Sequence, residues 1–190
     1  MRTAICPTHL HFHELASHFL ALTASDRFLR FGWVLSDVDI VAYVENLLRS
    51  IGNVLVVVEP APGISGALHL DCIGSGADLG LSVSAWARGQ GIGKLLLERA
   101  AVLARARGIK TLFVRNLNFN AALQRLAHRV GMSVACAPSA RSMRLELSAN
   151  GPRRDPTAWA VTLADHSLRS HWGSAGREAS RADVAERTPI

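Results

Sequence analysis

The sequence predicts an α/β fold built around one main domain. Stretches with apolar residues at helical spacing come first, short β-branched stretches on Gly- and Pro-containing turns follow, and further helices alternate with the last strands. At 190 residues, of which 49% are hydrophobic and 19% charged, the chain is long enough to bury one sizeable core. No apolar run reaches the roughly 18 residues of a membrane-spanning helix, so we expect no membrane partner.

Two helices are predicted before the first long strand. The first covers residues 12–23, FHELASHFLALT, and the second, SDVDIVAYVENLLRSIG, begins at Ser36 or Asp37 and ends at Gly52. Ser and Asp are favoured at the start of a helix and Gly just after its end, which supports these limits. The opening residues, MRTAICPTHLHFHE, lack the apolar core of a secretory signal, so we predict a cytoplasmic protein with reduced cysteines.

Three short strands are predicted next, and the tight turns between them favour an antiparallel meander. The strands are rich in β-branched or other apolar residues, and the turns contain Pro and Gly. The predicted strands cover residues 53–59, 64–73 and 78–84, with turns at 60–63 and 74–77.

The rest of the folded region is predicted to alternate helices with strands. A Leu- and Ala-rich helix is followed by an apolar strand, then by a helix that Asn120 caps, and finally by two strands. These elements cover residues 92–108, 109–116, 120–131, 132–137 and 141–148.

The composition changes near residue 150, where Arg, Ser, Ala and Asp replace the apolar periodicity. Such a polar segment cannot bury enough apolar surface to fold by itself. We therefore predict two parts, a folded domain over 1–149 and a flexible, Arg-rich polar tail over 150–190, with an added helix outside the core fold as the alternative for the second part.

Basic charge is concentrated in one half of the predicted domain. Residues 1–87 carry four arginines and eight acids, a net charge of −4, whereas residues 88–144 carry eleven basic residues and one acid, a net charge of +10. A basic surface without a ligand would explain this, but so would a polyanionic ligand, either nucleic acid or a phosphorylated cofactor. Few aromatic residues are interleaved with the basic ones, which disfavours nucleic acid.

The segment RGQGIG, residues 88–93, places three glycines before the helix that begins at Ile92. A dinucleotide-binding loop needs a third glycine where Lys94 stands, and a Walker loop needs Gly where Arg88 stands, so the spacing excludes both. The segment still suits anion binding, because a helix N-terminus presents unpaired N–H groups and glycines let an anion approach them. A simple turn that needs positive φ remains the alternative.

Two segments together resemble the GNAT acyltransferase superfamily. RGQGIG matches its Arg/Gln-x-x-Gly-x-Gly/Ala motif, and NAALQRLAHRVGM over 120–132 is similar to its N-x-x-A-x-x-L-x-x-x-x-G-F segment. The resemblance covers about residues 9–147. It implies the GNAT fold, a mixed and mostly antiparallel central sheet with helices on both faces, and it implies transfer of an acetyl group from acetyl-CoA to a primary amine.

The resemblance also implies which residues form the site. The pyrophosphate of acetyl-CoA would lie on the glycine loop, and the pantetheine arm would lie near the last strand residue before it and near the Asn-capped helix. The cofactor-binding residues expected on this basis are Val83, Arg88, Gly89, Gln90, Gly91, Ile92, Gly93, Lys94 and Asn120.

The catalytic base implied by the resemblance is Asp78, although this residue could instead simply end a turn. A backbone N–H near Ser82 or Val83 would meet the oxyanion. The sequence departs from the family at Ala127, where many members carry the Tyr that acts as general acid, so water, Ser82 or Cys136 would have to protonate the thiolate. This departure motivates the alternative of a CoA-binding regulatory module without turnover.

The sequence does not decide the roles of several other polar residues. His9, His11 and His13 alternate, but no matching Cys, Asp or Glu set accompanies them, so we expect no metal site. Arg27 and Arg30, between the first two predicted helices, could bind a carboxylate or phosphate of the acceptor, or could pair with nearby acids (Asp26, Asp37 and Asp39). A homodimer is an open alternative to a monomer.

Overall fold

A computed structural model describes residues 2–49, 53–60, 63–136 and 143–147. Seven strands form a single sheet in the order β1-β2-β3-β4-β5-β7-β6. The strands are β1 Ala4–Ile5, β2 Val54–Val58, β3 Ile64–Ile73, β4 Gly76–Val83, β5 Thr111–Phe113, β6 Met132–Cys136 and β7 Met143–Leu147. The helices are α1 Phe12–Leu20, α2 Ala24–Phe31, α3 Asp37–Arg49, α4 Ile92–Ala106 and α5 Ala121–Arg129, with short 3₁₀ turns at His9–His11, Ala85–Ala87 and Leu117–Phe119.

The sheet is mixed and mostly antiparallel, which confirms the prediction. Only β4 and β5 are parallel, and their pairing is short, because it runs from Gly76 opposite Thr111 to Asp78 opposite Phe113. β4 continues beyond Asp78 to Val83. Along this continuation, no strand in the described ranges pairs with the edge of β4 that faces β5. The two strands therefore separate at Asp78.

Each face of the sheet carries its own hydrophobic core. Helices α4 and α5 cover one face, where Leu68 and Leu70 of β3 are fully buried. Helices α1, α2 and α3 cover the other face, where Ala67 of the same strand is buried. This alternation follows from the two-residue period of a strand, and it places the even-numbered residues of β4, Asp78 to Ser82, toward α1–α3.

Two elements differ from the prediction. Residues 24–31 form a separate helix, α2, which the Thr23 hydroxyl caps by accepting a hydrogen bond from the Asp26 N–H and which ends at Gly32 in the left-handed region, with φ 96°. β1 was not predicted, because a two-residue strand leaves no periodicity to detect. The predicted helix end at Gly52 and the predicted tail over 150–190 lie outside the described residues.

The end of α2 is held by a residue distant in sequence. Asn116, in the turn after β5, adopts a left-handed conformation with φ 51°. Its Nδ2 donates to the carbonyl oxygens of Phe28 at 2.8 Å and Gly32 at 3.1 Å. The Phe28 carbonyl also accepts from the Gly32 N–H at 3.0 Å, so Asn116 adds a second donor there and supplies one to Gly32, just beyond the end of α2. Asn116 thereby joins the end of α2 to the turn after β5.

Candidate acyl-CoA site

The glycine loop has the backbone conformation that only glycine adopts easily. Gly89 and Gly91 have φ values of 76° and 82°, and Gly91 is the residue that precedes the first turn of α4. A Cβ atom added at either position would meet nothing within 4 Å. The two glycines are therefore required by the backbone and not by crowding, and the space over the loop is open.

Gly93 has a different role. A Cβ there would lie 3.2 Å from Cδ2 of Leu126 in α5 and 3.6 Å from Cγ2 of Val83 at the end of β4. The absence of a side chain thus lets the first turn of α4 approach both elements closely. Ile92 is buried, so only its backbone belongs to the surface of the loop.

Asn120 begins α5 as the sequence predicts. Its side-chain oxygen accepts a hydrogen bond from the N–H of Leu123 at 3.0 Å. The structure therefore brings Val83, the glycine loop and the Asn-capped helix to one end of β4. Of the predicted site residues, Asp78 alone lies away from the loop, near the other end of that strand.

The polar side chains of the loop are held by neighbours. Arg88 forms an ion pair with Asp26 of α2 at 2.8 Å, and Lys94 lies 4.0 Å from Glu98 one turn along α4. Gln90 donates to the Trp86 carbonyl at 3.0 Å and accepts from Arg2 at 2.6 Å. Positive charge therefore stands on both sides of the loop, but the Arg88 side chain points toward α2, where its acidic partner lies.

The carboxyl group of Asp26 responds to these contacts. Burial favours its neutral form, but hydrogen bonds from Thr23 and Arg88 and the charge of Arg88 outweigh burial and lower the pKa of Asp26 below its usual value. Asp26 is therefore ionised at neutral pH, and the ion pair with Arg88 persists there.

Asp78 occupies the position at which β4 and β5 separate. It is the last residue of β4 that pairs with β5, and its carboxylate lies 3.8 Å from the guanidinium of Arg115. Its side chain is 42% exposed, so a ligand between the strands could reach it. The register of the strands thus places Asp78, the predicted base, where β4 ceases to pair with β5.

A buried polar cluster on the α1–α3 face was not anticipated from the sequence. His18 of α1 lies 2.8 Å from the hydroxyl oxygen of Ser82 through Nε2 and 2.8 Å from that of Ser84 through Nδ1. Burial is the main reason that the pKa of His18 falls to about 4. The only sequence signal was its position inside the predicted first helix, next to the apolar residues of that helix.

Arg30, Tyr43 and His69 form a second group on the same face. Arg30 Nη2 donates to the Tyr43 hydroxyl at 2.7 Å, and Tyr43 lies 3.5 Å from Nδ1 of His69. Burial, followed by the charge of Arg30, lowers the pKa of His69 to about 3. Both imidazoles on this face are therefore neutral at pH 7.

The other candidate residues named from the sequence lie away from the glycine loop or contact other parts of the fold. Arg27 donates to the carbonyls of Leu20, Leu22 and Leu35 and pairs with Asp37 at 2.7 Å, so it holds the α1–α3 connections together. Ala127, a residue of α5, is fully buried in the core on the α4–α5 face, and Tyr43 lies on the opposite face of the sheet. Cys6 and Cys72 are free thiols, and the side chain of Cys136 lies outside the described part.

The described residues contain neither a cluster suited to a metal ion nor a helix that could cross a membrane. No group of three or more His, Cys, Asp or Glu side chains within these ranges is arranged to hold a metal ion. His11, one of the three alternating histidines, instead accepts a hydrogen bond from the backbone N–H of Thr8 at 3.1 Å. In the same ranges, every helix is too short or too polar to cross a bilayer.

Comparison with known proteins agrees with this architecture. Residues 63–132, from β3 to the start of β6, match the model of the Acetyltransferase (GNAT) family. No curated protein sequence matches the chain.

Solved structures are similar in fold at low sequence identity. The GNAT domain of S. lividans PAT is 19% identical with a TM-score of 0.61, over 76% of this chain and 89% of that one. The putative acetyltransferase yncA from Salmonella typhimurium, solved with acetyl-CoA, is 18% identical with a TM-score of 0.54, over 82% and 99% of the chains. PaiA N-acetyltransferase from Thermoplasma acidophilum, solved with coenzyme A, is 18% identical with a TM-score of 0.56, over 78% and 99%.

The resemblance seen in RGQGIG and in the Asn-capped helix is therefore confirmed at the level of the fold. The strands that separate, the glycine loop and helix α4 all lie inside the matched segment. The chain has the GNAT fold, and its segment 63–132 matches the acetyltransferase (GNAT) family.

Proposed function

We propose that the protein transfers an acetyl group from acetyl-CoA to a primary amine by direct attack. The observation that carries this proposal is the open glycine loop at the N-terminus of α4, next to the stretch of the β4 edge that no described strand pairs with. The loop offers backbone N–H groups to an anion, and the edge offers hydrogen-bonding groups to the amides of a pantetheine arm.

The loop residues would hold the phosphates. Gly89, Gly91 and the N–H groups of Ile92 and Gly93 supply an anion site, which the dipole of α4 strengthens. Arg88, Gln90 and Lys94 stand at its borders. Val83 and Asn120 lie where the arm would pass, at the end of β4 and the start of α5.

In the proposed reaction the neutral amine nitrogen attacks the thioester carbonyl. A carbon–nitrogen bond forms, the carbon–sulfur bond breaks, and coenzyme A leaves as the thiolate. Asp78 would accept the ammonium proton, directly or through one water, and a backbone N–H near Ser82 or Val83 would stabilise the oxyanion. Because Ala127 has no ionisable group and the Ser82 hydroxyl is bound to His18, the thiolate would take a proton from water.

Calorimetry with acetyl-CoA tests the cofactor part of the proposal. The wild-type protein should bind, and Gly91→Glu should abolish binding, because a side chain at positive φ and a negative charge both oppose the phosphates. Gly108→Glu is the matched control: Gly108 also has positive φ, 71°, and open space around it, but it lies at the other end of α4. No binding by the wild type at millimolar acetyl-CoA would refute the proposal.

Release of free thiol in the presence of a panel of amines separates catalysis from simple binding. Turnover that Asp78→Asn reduces by about a hundredfold or more, with acetyl-CoA affinity unchanged, would support Asp78 as the base. Binding of acetyl-CoA without thiol release from any amine would favour the second candidate, a CoA-binding regulatory module, which the buried Ala127 at the expected Tyr position supports.

A further inference from the structure

Arg30 lies between α2 and the middle of β4. Its guanidinium carbon is 4.9 Å from the ring centre of Phe31, 5.6 Å from that of Tyr43 and 5.7 Å from that of Phe19. On its other side it rests on Gly80, where an added Cβ would overlap the guanidinium nitrogens. Aromatic faces stabilise a cation, and the missing side chain at Gly80 makes room for it, so this cation is held in a defined place.

One nitrogen of this guanidinium has no hydrogen-bond partner among the described residues. Nη2 donates to the Tyr43 hydroxyl, but Nε is buried with no hydrogen-bond partner in the described part of the chain. The three acids predicted as possible partners of Arg30 contact other residues. Asp26 binds Arg88, Asp37 binds Arg27, and Asp39 accepts a hydrogen bond from the Ser36 hydroxyl. Nε itself is covered by the protein, so an anionic ligand would bind the Nη atoms of the guanidinium.

Arg30 contacts the same strand, β4, that carries the proposed catalytic base Asp78. Gly80 belongs to the part of β4 whose edge toward β5 is open, and Asp78 precedes it by two residues. Residues two apart on a strand lie on the same face and about 7 Å apart. The Arg30 guanidinium over Gly80 and the side chain of Asp78 therefore lie on the same face of β4, the face opposite α4.

We propose that Arg30 binds a carboxylate of the acceptor, and that the acceptor is therefore an amine of the amino-acid class. The planar fork of the guanidinium fits a carboxylate, and Asp78, whose backbone lies about 7 Å along β4 from Gly80 on the same face, suits the amine end of the same small molecule. The neutral forms of His18 and His69 add no competing charge on this face. This inference rests on the proposed acetyl transfer, and it adds the class of acceptor.

The test measures thiol release with matched pairs of amines at saturating acetyl-CoA: each common amino acid against its amide, in which the carboxylate is neutral. At least one free amino acid should show kcat/KM about tenfold or more above its amide. Arg30→Met should bring that ratio close to one, and Arg30→Lys should leave it intermediate, while acetyl-CoA affinity stays within about threefold of wild type.

Two further variants distinguish loss of a carboxylate-binding group from a general effect on the structure. Gly80→Ala displaces the guanidinium without removing it and should also reduce the acid-to-amide ratio. Arg49→Met removes an exposed cation from α3, on the same side of the sheet, and should leave the ratio unchanged. A wild-type protein that uses amides as well as acids, or an Arg30→Met variant that keeps the preference, would overturn the assignment.

The same measurements separate this inference from the proposed function. Turnover of amines that lack a carboxylate, with none for amino acids, would overturn the role of Arg30 and leave acetyl transfer intact. Binding of acetyl-CoA with no turnover of any amine, with or without a carboxylate, would overturn both the role of Arg30 and acetyl transfer. No binding of acetyl-CoA would refute the proposed function itself.

Discussion

His18 Nε2 lies 2.8 Å from the hydroxyl oxygen of Ser82, and the two groups share one proton whose location the surroundings decide. The Ser84 hydroxyl donates to the carbonyl of Ile64 at 2.8 Å, so it can only accept from His18 Nδ1. His18 Nδ1 therefore carries the ring proton, and Nε2 accepts from Ser82. The neutral His18 imidazole therefore joins α1 to β4, and each of its ring nitrogens has a hydrogen-bond partner.

Acidification should weaken the fold through this imidazole. The pKa of His18 is about 4 in the folded protein and 6.5 ordinarily, so the unfolded chain binds the extra proton first as pH falls. The contribution is complete above pH 6.5 and declines down to about pH 4, with a slope of at most about 1.4 kcal/mol per pH unit. Urea unfolding between pH 8 and 4 measures the free energy of unfolding.

His18→Asn is the control for this pH dependence. It should be less stable than wild type at pH 8 and should show a flatter profile between pH 6.5 and 4, because one titrating group has been removed. Parallel profiles for the two proteins would show that His18 is not the group responsible. His69, with a pKa of about 3, remains in both proteins and cancels in the comparison.

Asp26→Asn should tighten the binding of acetyl-CoA. Asp26 places a negative charge 2.8 Å from Arg88, at the border of the loop proposed to hold phosphates. Its removal frees the positive charge, so we expect the Kd for acetyl-CoA to fall about two- to fivefold at low salt and less at high salt. Calorimetry measures this, with Asp39→Asn as a control that alters only the start of α3. Weaker binding by Asp26→Asn would contradict the expectation.

Asn120→Ala should destabilise the protein by about 1 kcal/mol, because the Asn120 side chain caps α5. Asn120→Ser keeps a capping oxygen and should lie within about 0.5 kcal/mol of wild type. Chemical unfolding of the three proteins decides this. Equal losses in both variants would show that the amide of Asn120 has another structural role.

Gly66→Ala should destabilise the protein by about 1–3 kcal/mol, because a Cβ on Gly66 would lie 2.6 Å from Cγ2 of Ile92 and 3.0 Å from Cδ1 of Leu96. Ile92→Ala removes the closest atom at the cost of its own burial. The double variant should therefore lose less stability than the sum of the single variants, by about 1 kcal/mol in a double-mutant cycle. Strict additivity would contradict the contact.

Local patterns predicted much of the fold. β3 covers 64–73 in both the prediction and the structure, because Pro and Gly turns bound it on each side. Helix α4 begins at Ile92 in both, because the glycines mark its start. The mixed, mostly antiparallel sheet was expected from the resemblance to the GNAT superfamily, and the structure confirms it. The predicted order of elements agrees with the structure except for β1 and α2, which were not predicted.

The acceptor side could not be predicted in the same way. His18 meets Ser82, and Arg30 meets Gly80 and Tyr43, through contacts between residues far apart in the sequence. Arg27 and Arg30 lie on the same short helix, and nothing in their spacing shows that one anchors loop carbonyls while the other faces the sheet. Such differences depend on strand register and helix docking, which arise from the whole core.

Helix α2 is secured at both ends, by Thr23 at its start and by Asn116 at its finish. Arg30 therefore stands in place before any acceptor arrives. A ligand that binds it need not lose additional entropy to order this side chain or its helix, so a larger share of each new contact remains as affinity. For a small acceptor with few atoms to contribute, that preorganisation would decide whether binding is strong enough to select one amine among many.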